Sequence, residues 1–223
     1  MSNRDLQTRR QIDWTDLKFA IWLGVIAATV RLLELKFPSS HFSRTTTDVI
    51  ASALTVGYIL ARARRQPEKM DGWGITTRLT LPALLAGLAL LGLSVAMLAV
   101  AGILVAGKIS FEPAFVPQMI EYLPAGFPQQ FVLCSIGLTS LATLRPLRGP
   151  WRLPLAVGLA FSLAHFWTPA RIPGTIVPVQ MLITFPAGFV AAFYFLTFRN
   201  ILPLTASHAV LYPLLHNWIE SHL

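Results

Sequence analysis

Residues 79–106 read LTLPALLAGLALLGLSVAMLAVAGILVA, a run without one charged residue. About 20 apolar residues cross the hydrocarbon of a bilayer, so this run is long enough to tilt or to extend beyond the membrane. Working outward on the same rule, further spans fall at 17–35 and 46–62 before it, and at 128–145, 152–169, 174–198 and 201–219 after it. Composition agrees: 54% of the 223 residues are hydrophobic and 13% charged, against about 25% charged in soluble domains. In hydrocarbon the backbone must satisfy its own hydrogen bonds, so helices are the alternative to a closed barrel. The expected fold is all-α: a polytopic transmembrane helical bundle of about seven spans, forming one integral membrane domain over 1–223.

The second span opens on Thr45-Thr46-Thr47-Asp48, a helix cap by composition. Near the end of the first, Arg31 and Glu34 stand at i,i+3, the spacing of an interfacial pair. The apolar run Phe19 to Val30 leads into Arg31, Glu34 and Lys36 instead of a small-residue cleavage site, so it reads as a span and not a cleaved signal. Cys134 is the single cysteine, which excludes an intramolecular disulfide.

The net charge of +8 does not imply nucleic acid, because the basic residues flank the spans. Arg4, Arg9, Arg10 and Lys18, then Arg62, Arg64, Arg65, Lys69 and Arg78, then Arg145, Arg148, Arg152 and Arg199 fall on one side, thirteen in all. Lys36, Arg44, Lys108 and Arg171, four, fall on the other. Cytoplasmic loops carry the excess of Lys and Arg. The expectation is a multi-pass protein of the plasma (inner) membrane with a cytoplasmic N-terminus, and a long cytoplasmic loop around 62–78. Trp151, Trp167 and Trp218 fall near span ends, where an aromatic belt is expected.

Chemistry concentrates in the last four spans. His165 and His208 sit within apolar stretches, and an ionisable side chain in hydrocarbon marks a bundle interior or a wet cavity. Pro128-Gln129-Gln130-Phe131 opens an earlier helix with two amides. Phe161-Ser-Leu-Ala-His165 closes the next. A Gly and aromatic helix follows, in which Gly188 and Ala192 make a small-xxx-small pair for close packing. Ser207-His208-Ala209 then stands on the last helix, with Tyr212 and His216 on nearly the same face.

In order and spacing these residues resemble the CAAX-protease and bacteriocin-processing family of glutamic-type intramembrane proteases. Its core is E-E-x-x-x-R, then F-x-x-x-H, then H-x-x-x-N. The resemblance runs from Pro128 to roughly Trp218 and implies a four-helix core over 128–218. It implies catalytic positions at Gln129, Gln130, His165 and His208, and binding positions at Phe161, Cys134 and Tyr212. It also implies peptide-bond hydrolysis as the ancestral reaction.

The departures bear on that reaction. Both motif glutamates are Gln129 and Gln130, the arginine is Cys134, and the asparagine is Tyr212. An amide has no lone pair that titrates near neutral pH, and loss of a general base lowers a rate by about 10²–10⁴. Among other carboxylates, Glu121 is nearest, with Glu112 beside it in the loop before the motif helix and Glu220 at the far end of the last helix. Two histidines are too few for catalytic zinc, which usually has three protein ligands; no metal or cofactor is implied. The reading is a catalytically altered or inactive family member, a pseudoprotease that binds a transmembrane or lipidated protein or peptide in the lipid bilayer. One alternative is a working hydrolase of that family with a different base. A second uses Cys134, Arg171 and His208, whose order resembles the exosortase group of membrane cysteine transpeptidases.

Simple threading leaves a mismatch. Gln130 and His165 fall toward the outer half, whereas His208 lies about seven residues, roughly 10 Å, from the inner end.

Overall fold

The computed structural model describes residues 13–36, 44–76, 79–147, 149–166, 168 and 171–223. Among the described residues seven helices of twelve residues or more are present, the fourth displaced from its expected span. They are α1 (Trp14–Lys36), α2 (Arg44–Arg65), α3 (Leu81–Ala106), α4 (Phe115–Gln130), α5 (Arg152–Leu163), α6 (Val179–Phe198) and α7 (Leu202–Trp218). Two of these, α3 and α6, are long and apolar enough to cross a membrane by themselves. Only 11% of the apolar window of α3 is buried, and Leu85, Leu88, Leu93, Met97 and Leu104 are exposed along it. A core helix of a soluble protein would hide them. Among the described residues there is no named strand, only an isolated bridge between Arg171 and Pro178.

Boundaries follow local chemistry. The hydroxyl of Thr80 accepts from Ala83 N at 3.4 Å to open α3, and Gly107, at φ 73°, closes it in the left-handed region that favours glycine. α2 begins at Arg44, so Thr45-Thr46-Thr47-Asp48 form its first turn and do not precede it as a cap. The side chains of Arg31 and Glu34, and Arg78, Arg148, Trp167 and the segment 1–12, lie outside the described residues.

The largest correction concerns the motif helix. α4 starts at Phe115, not at 128, and continues through a π-helical segment, Phe131–Leu138, to a final α turn, Thr139–Leu141. Pro124 and Pro128 lie inside α4, and each removes a backbone donor and crowds the carbonyl four residues back. Three residues after Pro128 the helix widens to the π form, a rare geometry that gathers at functional positions. Gly137 suits that turn, since a Cβ there would come 3.0 Å from Val132 O.

α5 packs along α6, α7 along α4 and α3, and α2 along α4. The α5–α6 contact is close because both faces are small: a Cβ on Gly188 would stand 2.9 Å from Phe161 Cβ and 3.1 Å from Gly158 Cα. Ala192 is fully buried on the same face. The main core gathers Phe131, Cys134, Ile136, Leu153, Phe195 and Ile201 from the motif helix, α5, α6 and the α6–α7 turn. Trp218 belongs to a second core, not to an aromatic belt: it is buried, and its Nε1 donates to Ser110 O at 2.7 Å. Trp151 remains exposed, packed against Phe189 and Phe193 of α6.

Of the expected loop over 62–78, residues 62–65 end α2 and residues 66–76 are docked, not free. Gly74, at φ 67°, lies where a Cβ would come 2.6 Å from Phe195 Cε2 and 2.9 Å from the backbone of Arg199. Its carbonyl accepts from Ile201 N at 3.1 Å. Trp73 O accepts from Ser135 Oγ at 2.6 Å, and the Trp73 ring meets Phe131 edge-on at 5.1 Å. Upstream, Lys69 Nζ donates to Asp13 and, at 2.7 Å, to Asp16. Arg62 reaches the same two carboxylates at 2.6 and 3.0 Å, and Tyr58 OH donates to Asp16 at 2.6 Å. This strap ties the start of α1 to the π-helical segment and to the α6–α7 turn.

Candidate functional site

The site is built on the α4–α7 seam. Three contacts fix an antiparallel register: Asn217 Nδ2 donates to Gln118 Oε1 at 3.0 Å, the Tyr122 and Tyr212 rings lie 4.5 Å apart, and His208 rests on Gly126. A Cβ at Gly126 would meet the His208 ring and Cβ at 3.1–3.3 Å, so glycine is what lets the imidazole reach the motif helix. On α4, positions 118, 122, 126 and 129 form one stripe at i,i+3/i+4 spacing, as 205, 208 and 212 do on α7. The same register sets Gln129 level with Thr205 and Gln130 level with Leu204. Gln129, Gln130 and His208 thus come within one turn of each other along the seam. The mismatch from threading disappears because α4 begins thirteen residues earlier than the drawn span.

Gln130 is buried, and its Oε1 is the contact of Cys134 Sγ at 3.7 Å. Gln129 is half-buried, and its Oε1 is enclosed with no protein hydrogen-bond partner. Tyr212 stacks one turn beyond His208, with ring centroids 6.0 Å apart. Gln180, in the first turn of α6, donates from Nε2 to Tyr212 OH at 3.2 Å and also to Glu220. Glu220 faces His216 Nδ1 at 3.4 Å, and His216 is half-exposed at the helix end.

His165 is carried by a different helix pair. It follows the end of α5, its Nδ1 is 2.7 Å from Phe161 O, and its ring meets Phe161 edge-on at 4.8 Å. Ser162 Oγ donates to Met181 O at 2.7 Å, which sets the end of α5 level with the first turn of α6, where Gln180 stands. α5 makes no extensive contact with α4 or α7. His208 therefore belongs to the α4–α7 seam and His165 to the α5–α6 seam, with Gln180 between them.

Glu121 is on α4, not in a loop, and it is exposed, as is Glu112. Neither turns toward the seam as a base. Cys134 and Arg171 lie at opposite ends: Cys134 is fully buried near the level of Asn200, while Arg171 is exposed beside Pro178, near the level of Tyr212. That is about twelve residues of helix, roughly 18 Å, so no thiolate–guanidinium–imidazole group forms. Among the described residues no cluster of three or more His, Cys, Asp or Glu is arranged to hold a metal.

Sequence reading missed Gly126, Gln180, Tyr122 and Thr205. Gly126 could have been found three residues before Gln129 on its face. Gln180, a polar residue opening an apolar helix after Pro178, was a signal passed over.

The fold is helical, two of its helices are apolar enough to cross a membrane, and the candidate site lies on a pair of antiparallel helices. Residues 113–212 match the family model described as Rce1-like, type II CAAX prenyl endopeptidase Rce1-like. Over that segment the chain is similar to that family, in keeping with its motif order. The match begins two residues before α4 and ends at Tyr212, so it covers all the motif positions. No curated protein and no solved structure matches the chain.

Proposed function

We propose that the chain is an Rce1-like protein of the plasma membrane, N-terminus inside, that binds a transmembrane or lipidated protein segment at the α4–α7 seam without cleaving it. The observation that carries this reading is the contact of His208 with Gly126, which keeps a family histidine against the motif helix while the facing residues, Gln129 and Gln130, are amides. The frame for holding a peptide remains, and the carboxylate that would activate water does not. Cys134, buried on Gln130 where the family has arginine, adds no cation. The orientation is supported by the packing. Gly74 against Arg199, and Trp151 against Phe193, put the described basic residues of 62–76, 145–147 and 149–152 at the same end of the bundle as Arg199.

Glu220 supports a second reading, a hydrolase with a different base. It is the carboxylate drawn into the polar row through Gln180 toward Tyr212.

Cleavage of peptide and prenyl-peptide substrates in liposomes separates the two. The native chain is expected to give no turnover above background, and Gln129→Glu with Gln130→Glu is not expected to restore it without Cys134→Arg, because a buried carboxylate pair needs a nearby cation to keep one member charged. Turnover by the native chain that is lost in Glu220→Gln and in His165→Ala would overturn the binding reading and establish the second.

A further inference from the structure

We propose that Gln129 and Thr205 hold a buried water molecule across the α4–α7 seam, one turn of α7 before His208 and separate from it. The register places the two residues opposite each other, and both have an enclosed polar atom, Gln129 Oε1 and Thr205 Oγ1, with no protein hydrogen-bond partner. Thr205 is buried, at 7% exposure. Its hydroxyl has an obvious local outlet, since Thr55, Thr184 and Thr197 each donate to the carbonyl four residues back at 2.7–2.9 Å. Thr205 makes no such bond to Ile201 O. A hydroxyl that forgoes the helix carbonyl and an amide oxygen at the same level of the next helix supply a donor–acceptor and an acceptor for one bridging molecule.

Leaving both atoms dry would carry a desolvation penalty for each, and a buried water with two or more polar partners removes it. A direct Gln129–Thr205 bond is not formed, so the two atoms stand apart and can be bridged. At the foot of the same helix Asn200, 1% exposed, caps Leu202 N through Oδ1 at 2.9 Å and leaves Nδ2 unpartnered. The buried polar row thus extends from the seam toward the α6–α7 turn. The water requires only the pairing of α4 and α7, so it stands whether or not a partner enters the seam. It also gives Gln129 a role that leucine could not fill.

The test is thermal unfolding of the full chain in detergent, as a double-mutant cycle. Thr205→Val should lower the midpoint by about 2–4 °C, Thr205→Ser should leave it nearly unchanged, and Gln129→Leu with Thr205→Val should fall less than the sum of the single changes. A raised or unmoved midpoint for Thr205→Val would overturn the proposal, because exchanging an unsatisfied hydroxyl for a methyl relieves a penalty. Additive single effects would overturn it as well. Should Thr205→Val fail to fold, the decision passes to a high-resolution structure of the native chain: one water within hydrogen-bond distance of both oxygens supports the site, and its absence, or a direct Gln129–Thr205 bond, sinks it.

Discussion

The strap and the seam both bury polar groups between helices, but the strap pairs opposite charges and the seam holds amides and hydroxyls. In the strap, Asp13 and Asp16 face Lys69, Arg62 and Tyr58, so each carboxylate has a cation and Asp16 also has a phenol. In the seam, Gln129, Thr205 and Asn200 each keep an enclosed atom without a protein partner. The strap is not fully matched either, since Arg62 Nε and Gln66 Oε1 are enclosed without a protein partner, but its opposite charges are paired, and such a network fixes one arrangement of the chain. The strap thus joins ion pairs, and the seam amides and hydroxyls. They meet at the motif helix, where Ser135 and Phe131 contact Trp73 a few residues after Gln129.

That contrast is broken most forcefully by unmatching the strap. Lys69→Met removes the cation shared by two carboxylates, with Lys69 and Asp16 only 10% and 7% exposed in their side chains. Uncompensated buried charge typically costs 3–5 kcal/mol; because Arg62 remains, about 3 kcal/mol is expected, seen as a large drop in the thermal midpoint. A variant as stable as the native chain would mean that the network is incidental.

A smaller effect comes from one methyl in each region. Gly74→Ala strains a backbone at φ 67° and drives Cβ into the Phe195 ring and the Arg199 backbone; Gly126→Ala presses only on the His208 side chain, at 3.1–3.3 Å. Overpacking costs about 1–3 kcal/mol, with Gly74→Ala at the upper end and Gly126→Ala at the lower. Gly126→Ala should also raise the reactivity of His208 toward an imidazole-modifying reagent, measured by mass spectrometry. Equal losses of stability, with His208 reactivity unchanged, would erase the distinction between the regions.

The mildest effect is on pH. Burial alone raises the Asp13 carboxyl, but the hydrogen bond and charge of Lys69, with Arg62 and the Asp16 backbone, outweigh it and hold the group at about 2, against 3.8 unperturbed. A lowered folded-state value stabilises above the unfolded value and is lost as pH falls through the folded one. The strap should therefore hold from neutrality to about pH 4 and loosen between about 4 and 2. Hydrogen exchange of residues 66–76 across that range reads it directly. Loosening at pH 5–6 would mean that Asp13 is not held as its contacts require.

The composition and the uncharged run 79–106 were enough to give a helical protein of apolar spans, because hydrocarbon leaves the backbone few choices. The order of Gln129-Gln130, Phe161 with His165, and His208 was enough to give the family, because motif spacing is itself a sequence property. The sequence could not place Gln129 within one turn of His208 along the seam. That depended on α4 starting at Phe115, through a stretch whose two prolines read as a loop. It also could not tell the buried Lys69 from the exposed Arg64, or choose Gly126 as the glycine beneath the histidine. Charge and helix period are carried by the chain itself, but burial and register are relations between segments. Which polar group found a partner, and which was left facing the seam, was settled only when α4, α7 and the strap packed together.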